Sequence, residues 1–154
     1  MKLTRFGATR NIVKYSIIFL IGVSAVTATA QVQQQADEAF RIASEMKRPV
    51  LLVFAGSDWC APCIRFEKKI LQEKAFQDFA SENLVILEAD FPQRKKLADE
   101  IKQQNERLAD RYNPSGQFPY LVLLRVDRSV LSPLHYTNET PLEFIDKIKH
   151  HLLP

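Results

Sequence analysis

The sequence contains few cysteines and few histidines, which excludes several kinds of metal site. Its 154 residues include two cysteines, Cys60 and Cys63, and three histidines. A structural zinc site needs about four ligands. His135, His150 and His151 do not have a spacing typical of zinc ligands. We therefore expect no metal and no other cofactor.

The chain also lacks a long apolar run. Residues 15–30 are uncharged, but this stretch is shorter than the roughly 20 residues that span a bilayer. It follows a basic segment without acidic residues and ends in Ala28-Thr29-Ala30, the layout of a secretory signal peptide. We expect residues 1–30 to be a signal peptide and residues 31–154 the mature domain. An uncleaved segment that tethers the domain to a membrane is the alternative, whereas a lipoprotein anchor is excluded because no cysteine lies near the cleavage site.

The predicted mature domain has no excess of positive charge. The chain carries a formal charge of +3, of which the first thirty residues contribute +4, so the remainder carries −1. A nearly neutral domain gives no reason to expect nucleic acid or an anionic membrane surface as a partner. The one basic run in this part, Arg94-Lys95-Lys96, is interpreted as a solvated helix face.

The apolar pattern predicts one α/β domain with the element order α-β-α-β-α-β-β-α. A continuous apolar run at residues 50–55 is typical of a buried strand, and residues 84–89 and 120–126 are predicted to be two further strands. Helical spacing precedes and follows the first two runs, and Pro92 is expected to open a long helix. Residues 31–35 are expected to be a polar leader. The β-α-β alternation predicts a parallel strand pair, and a final hairpin adds an antiparallel edge.

Trp59-Cys60-Ala61-Pro62-Cys63 lies between a predicted buried strand and a predicted helix. This places Cys60 at a helix N-terminus, where free N–H groups and the helix dipole favour the nucleophilic thiolate. Cys63 lies one turn further in and is expected to be more shielded than Cys60. A purely structural disulfide is the alternative, but a bridge across so small a loop stabilises a fold poorly.

The Trp59–Cys63 motif resembles the active site of thioredoxin-like proteins, and Phe118-Pro119-Tyr120 resembles the loop where that family has a cis-proline. The resemblance implies a thioredoxin fold, with a central mixed sheet flanked by helices in a single domain. It also implies that Cys60 attacks, that Cys63 resolves the mixed disulfide, and that Trp59, Phe118 and the cis-proline Pro119 contact the substrate.

The sequence departs from ordinary thioredoxin at a buried acid that assists proton transfer to the resolving cysteine. The matching position is Val53, within an all-apolar run. Glu88, on the neighbouring predicted strand, is a candidate proton-transfer residue in its place. A glutamate at a strand end usually points to solvent, and we expect Glu88 to do so.

These features predict an exported, periplasmic thiol–disulfide oxidoreductase that exchanges its dithiol or disulfide with protein partners. A reductase or electron carrier is favoured over an oxidase, and a membrane-bound electron donor is a candidate partner. The domain is expected to be a monomer. The alternative is a non-catalytic binding module of the same fold with an inert disulfide.

Overall fold

The computed structural model describes residues 30–152, so nearly all of the predicted signal peptide lies outside the described part of the chain. The elements, in chain order, are β1 (Val32–Gln33), α1 (Ala36–Met46), β2 (Val50–Ala55), α2 (Ala61–Phe66), a π-helical segment (Glu67–Leu71), α3 (Lys74–Asn83), β3 (Val85–Asp90), α4 (Asp99–Tyr112), β4 (Tyr120–Leu124), β5 (Val130–Leu134) and α5 (Pro141–Leu152).

The five strands form one mixed sheet in the order β1-β3-β2-β4-β5. β2 is parallel to β3 and antiparallel to β4, and β4 is antiparallel to β5. All six residues of β2 are buried, as its apolar run predicts. Alternate side chains of β2 enter different cores: Val53 packs in a core with Phe66 of α2, and Phe54 in a core with Phe40 of α1. The predicted mixed sheet flanked by helices is confirmed.

The expected polar leader is partly wrong, because Val32 and Gln33 form β1. This strand pairs in parallel with β3, with Val32 opposite Ile86 and Gln33 opposite Leu87. Two residues are too few to show a periodic pattern, so only the neighbouring strand identifies them as a strand.

The predicted helix start at Pro92 is also wrong. α4 begins at Asp99, and residues 91–98 form a loop that we call the β3–α4 loop. The basic run Arg94-Lys95-Lys96 therefore lies on a loop and not on a helix face. The Asp58 carboxylate accepts the backbone N–H groups of residues 93–95 and ties this loop to the turn before Cys60.

Among the residues that the structure describes, no helix is both long enough and apolar enough to cross a membrane.

Candidate active site

Cys60 and Cys63 form a disulfide at the N-terminus of α2, with their Cα atoms 5.2 Å apart. Cys60 is the N-cap residue, and its Sγ accepts the backbone N–H of Cys63 at 3.2 Å. The Cys60 N–H in turn donates to the Gly56 carbonyl at 2.9 Å. Pro62 occupies the first turn, where a missing N–H costs no helical hydrogen bond. The Cys60 sulfur thus lies where helix N–H groups stabilise negative charge.

The expected difference in exposure between the two cysteines is wrong for the disulfide form. Each residue is 4% exposed, and both belong to the buried core on the α2 side of the sheet. Because both sulfurs take part in one bond within this core, burial does not distinguish them. The N-cap position and the accepted N–H do distinguish Cys60 from Cys63.

The loop before β4 lies against the disulfide. Its Phe118–Pro119 peptide bond is cis, and Pro119 lines a small cavity together with Cys63. Buried Asn113 holds this loop, since its side chain donates to the Gln117 carbonyl at 2.9 Å and accepts the Gln117 N–H at 3.0 Å. The sequence analysis did not assign Asn113 to the site. Both members of the predicted substrate-binding pair Phe118 and Pro119 therefore lie at the site.

Three aromatic rings form the surface next to the disulfide. The Trp59 and Phe118 ring centroids are 5.5 Å apart in an edge-to-face arrangement, and Phe91 packs on Phe118 in the same way at 5.5 Å. The Trp59 indole N–H donates to the Phe91 carbonyl at 2.7 Å, and Trp59 remains 38% exposed. Sequence reasoning did not assign Phe91 to the site. Its ring contact with Phe118 and the bond from Trp59 to its carbonyl place it there.

Gly56 is required by the position of Trp59. A Cβ atom at Gly56 would overlap the Trp59 indole ring. The turn that precedes Cys60 therefore has a glycine for a steric reason, because the indole packs directly over the backbone there.

Glu88 does not occupy the solvent-facing position that the sequence suggested. It is half-buried and lies beside Val53 in the parallel register of β2 and β3. Its side chain lines the same small cavity as Cys63, Glu67 and Pro119. The cavity volume is about 10 Å³, close to the minimum that one water molecule needs. Glu88 thus reaches, from the neighbouring strand, the site that Val53 leaves without an acid.

Burial raises the pKa of Glu88 to about 7. The nearby carboxylates of Asp90 and Glu67 contribute to this rise, and Lys95 opposes it. A carboxyl group with a pKa near 7 exchanges protons readily at neutral pH, as an acid–base group requires.

The residues before Cys60 are hydrogen-bonded to the end of β3 and the β3–α4 loop. The Ser57 N–H and hydroxyl donate to the two carboxylate oxygens of Asp90 at 2.8 and 2.6 Å. Asp58 accepts backbone N–H groups from residues 93, 94 and 95 at 2.9, 2.7 and 3.1 Å. These bonds hold the pKa of Asp58 below its usual value, so Asp58 is ionised at neutral pH. No local sequence pattern indicates these contacts, because Asp58 and its partners are 35 to 37 positions apart.

No group of three or more His, Cys, Asp or Glu side chains within residues 30–152 is arranged to hold a metal ion.

Comparison with known proteins places this geometry in a family. The family model described as "Thioredoxin-like" matches residues 31–125. The disulfide bond reductase DsbH of Chlamydia pneumoniae is 33% identical over 112 residues, which cover 73% of this chain and 67% of that protein. A solved structure of a DsbH oxidoreductase superposes with a TM-score of 0.76 at 28% identity and covers 94% of both chains.

A further relative is longer than this chain. The thioredoxin-related protein DsbJ of Chlamydia pneumoniae is 27% identical over 114 residues, which cover 73% of this chain but only 32% of DsbJ.

The matched family model covers more than half of the chain, and the similarity to DsbH covers two thirds of that protein. The chain therefore belongs to the thioredoxin-like family of thiol–disulfide oxidoreductases.

Proposed function

We propose that this protein is an exported reductase of protein disulfides, with Cys60 as the attacking and Cys63 as the resolving cysteine. The observation that carries the proposal is the Cys60–Cys63 disulfide at the start of α2, facing the Phe118–Pro119 loop. The similarity to a protein named as a disulfide bond reductase supports the direction. Export is supported by the composition of residues 1–30.

In the first step, the Cys60 thiolate attacks one sulfur of a substrate disulfide. A Cys60–substrate mixed disulfide forms, and the other substrate sulfur leaves as a thiolate and takes up a proton. In the second step, Cys63 loses its proton and attacks Cys60 Sγ. The Cys60–Cys63 disulfide forms, and the second substrate thiol is released. Two electrons pass to the substrate, its two sulfurs take up protons from solvent, and a dithiol donor must then reduce this protein again.

Glu88 is proposed to accept the proton of Cys63 in the second step. Both residues line the small cavity, and a single water molecule there would connect the carboxylate with the thiol. The raised pKa of about 7 lets Glu88 take up this proton and return it to solvent at neutral pH.

The substrate is proposed to be a polypeptide in an extended conformation. Trp59 and Phe118 provide an apolar surface beside the disulfide. The backbone of Phe118, which precedes Pro119, is positioned to pair with an extended chain by main-chain hydrogen bonds. A membrane-bound dithiol protein is a candidate electron donor, and the reductase is proposed to act as a monomer.

The direction of electron flow is tested by the reduction potential and by reduction of insulin disulfides. We expect a potential closer to the roughly −270 mV of thioredoxin than to the roughly −120 mV of a strong oxidant. The reduced protein should reduce insulin, and Cys60→Ala should abolish this activity. A potential near that of a strong oxidant would contradict the proposed direction.

The roles of the two cysteines are tested by trapping. Cys63→Ala should accumulate mixed disulfides with substrate proteins that contain a disulfide, because no second cysteine is left to resolve them. Cys60→Ala is the matched control and should trap none. The opposite pattern would reverse the assignment of the attacking cysteine.

Export is tested by expressing the full chain in a bacterium and sequencing the N-terminus of the product. Cleavage after Ala30 would give a protein that begins at Gln31 in the periplasmic fraction. An intact N-terminus in the membrane fraction would show tethering, and a cytosolic full-length product would contradict export.

A further inference from the structure

The end of the domain opposite the disulfide carries a pocket of about 440 Å³. Pro49 and Arg125 line it, and they flank the paired ends of β2 and β4, where Val50 lies opposite Leu124. The cysteines and the Phe118–Pro119 loop lie at the other ends of these two strands. Because β2 has six residues, about 20 Å of sheet separates the pocket from the disulfide end.

The charged lining of this pocket is basic. Among residues 30–152, no aspartate or glutamate lines it, and its basic side chains are Lys47, Arg48, Arg125 and His151. None of the four forms an ion pair within the described part of the chain. Arg48 and Arg125 donate instead to backbone carbonyls, those of Ser81 and Val130. These bonds hold the two guanidinium groups in place and leave their charge unneutralised.

The acidic side chains closest to these cations along the chain bond elsewhere. Glu45 pairs with Arg41 at 2.6 Å, and the Asp127 carboxylate accepts the Ser129 N–H at 2.9 Å. The domain as a whole is nearly neutral, but the cations of this pocket have no acidic counterpart in its lining. Such a local concentration of one sign of charge attracts anions.

The same end of the domain has exposed apolar surface. Val126 is exposed, and Leu152, the last residue of α5, lines the pocket beside it. Cationic side chains next to exposed apolar ones are typical of surfaces that lie at the boundary between water and lipid.

The uncharged residues 15–30 join the domain at this end. β1 begins beside the start of β2, because Val32 and Leu51 both lie opposite Ile86 of β3. Ala30, two residues before Val32, packs against the same core cluster as Leu152 of the pocket. A membrane that holds residues 15–30, even for a short time during export, would therefore lie next to the basic pocket and not next to the cysteines.

We propose that this end of the domain docks on a membrane that contains anionic phospholipids, with Lys47, Arg48 and Arg125 on the lipid phosphates. The disulfide then faces away from the membrane, where protein substrates reach it. Each Lys or Arg beside an anionic surface strengthens binding about fivefold. The inference goes beyond the proposed reductase function and does not depend on it.

The test uses the protein in the N-terminal form that the export experiment yields. Its binding to phosphatidylcholine vesicles, with and without an equal part of phosphatidylglycerol, is measured by co-sedimentation. We expect binding to the anionic vesicles to be at least about tenfold stronger at low salt. The preference should shrink at high salt, because the charges are screened.

Two matched double variants assign this preference to the pocket. Lys47→Gln, Arg125→Gln should weaken binding to the anionic vesicles about tenfold or more, and urea unfolding checks that this variant is folded. Arg94→Gln, Lys96→Gln is the control, since it removes one exposed arginine and one exposed lysine from the β3–α4 loop at the disulfide end, and it should keep the affinity.

The orientation is measured with spin-labelled phosphatidylcholine in the anionic vesicles. The Val126 amide signal should broaden in the NMR spectrum, whereas the Trp59 indole N–H signal should not, because Trp59 lies beside the disulfide. This measurement distinguishes docking through the pocket from attachment through residues 1–30 alone.

Three outcomes would overturn the inference: no preference for anionic vesicles, equal losses in the two double variants, or broadening of the Trp59 signal in place of Val126. Binding to soluble polyglutamate that depends on Lys47 and Arg125, without binding to anionic vesicles, would assign this end to an acidic protein instead. None of these outcomes bears on the reductase function, which the insulin assay tests separately.

Discussion

At the residue scale, single side chains determine the surroundings of the two cysteines. Glu88 reaches the Cys63 cavity from β3 because it lies beside Val53, where the neighbouring strand has no acid. Trp59 packs over Gly56 and bonds to the Phe91 carbonyl. The contacts of Glu88 and of the Phe91 carbonyl join groups close to the motif with residues that are distant along the chain.

Glu88→Gln should slow the resolving step. In the unmodified protein, the rate at which a mixed disulfide is resolved should rise with pH through about 7, as the Glu88 carboxyl loses its proton. The variant lacks this base, so the rise near pH 7 should disappear and the rate at pH 8 should fall at least about tenfold. Rapid-mixing kinetics with a preformed mixed disulfide would measure the rate of the resolving step at each pH. Glu82→Gln, on the exposed surface of α3, is the control, and an identical pH profile in both variants would contradict a role for Glu88.

Gly56→Ala should displace the only tryptophan of the chain. The added Cβ overlaps the Trp59 indole, which must then lose its bond to the Phe91 carbonyl. We expect the fluorescence emission to shift and kcat/KM for a protein disulfide to fall about tenfold, because the ring that contacts the substrate is displaced; a tenfold fall corresponds to about 1.4 kcal/mol. Gly116→Ala is the control, because Gly116 has no neighbouring atoms within 4 Å, although its φ of +62° makes alanine strained there. An unshifted emission in Gly56→Ala would show that the indole is not where we place it.

At the scale of elements, the active-site turn and the β3–α4 loop behave as one unit. Ser57, Asp58 and Trp59 are consecutive, and each forms hydrogen bonds with residues 90–95. The loop before α4 is therefore tied to the active-site turn by side chains that lie more than 30 residues away in the sequence.

Asp58→Ala should release the β3–α4 loop. The backbone N–H groups of residues 93–95 lose their acceptor, so their hydrogen exchange should become about tenfold faster while β2 amides remain protected. Asp127→Ala is a matched control, since Asp127 accepts a backbone N–H in the β4–β5 turn, outside the candidate active site. Equal exchange in the Asp58 variant and the unmodified protein would mean that other contacts hold the loop.

At the scale of the whole molecule, the half-buried Glu88 makes the free energy of unfolding depend on pH. Glu88 binds its proton more tightly in the folded state than in the unfolded chain, because its pKa is raised from 4.5 to about 7. The free energy of unfolding should therefore fall as the pH rises through this range, and the loss is complete above the folded pKa.

Glu88→Gln should remove this pH dependence. Relative to the unmodified protein, the variant should gain stability between pH 4.5 and 7, by at most on the order of 3 kcal/mol at 1.4 kcal/mol per pKa unit. Urea unfolding of both proteins with the disulfide intact would measure the difference at each pH. A difference that stays constant with pH would contradict the raised pKa.

The sequence by itself determined the architecture and the reacting atoms. An unbroken apolar run at β2 requires a strand covered on both faces, and Pro62 together with the spacing of Cys60 and Cys63 requires a helix that begins at the motif. Both are local properties, in which residues a few positions apart determine the backbone between them.

Only the tertiary structure decided how the site is completed. Alternation along β3 could not show that Glu88 faces Cys63, because it reports which residues share a face and not what covers that face. The contacts of Asp58 with residues 93–95 and of Phe91 with Phe118 join positions more than 25 residues apart. Such contacts follow from the order and register of the strands, which bring distant loops together at one edge of the sheet.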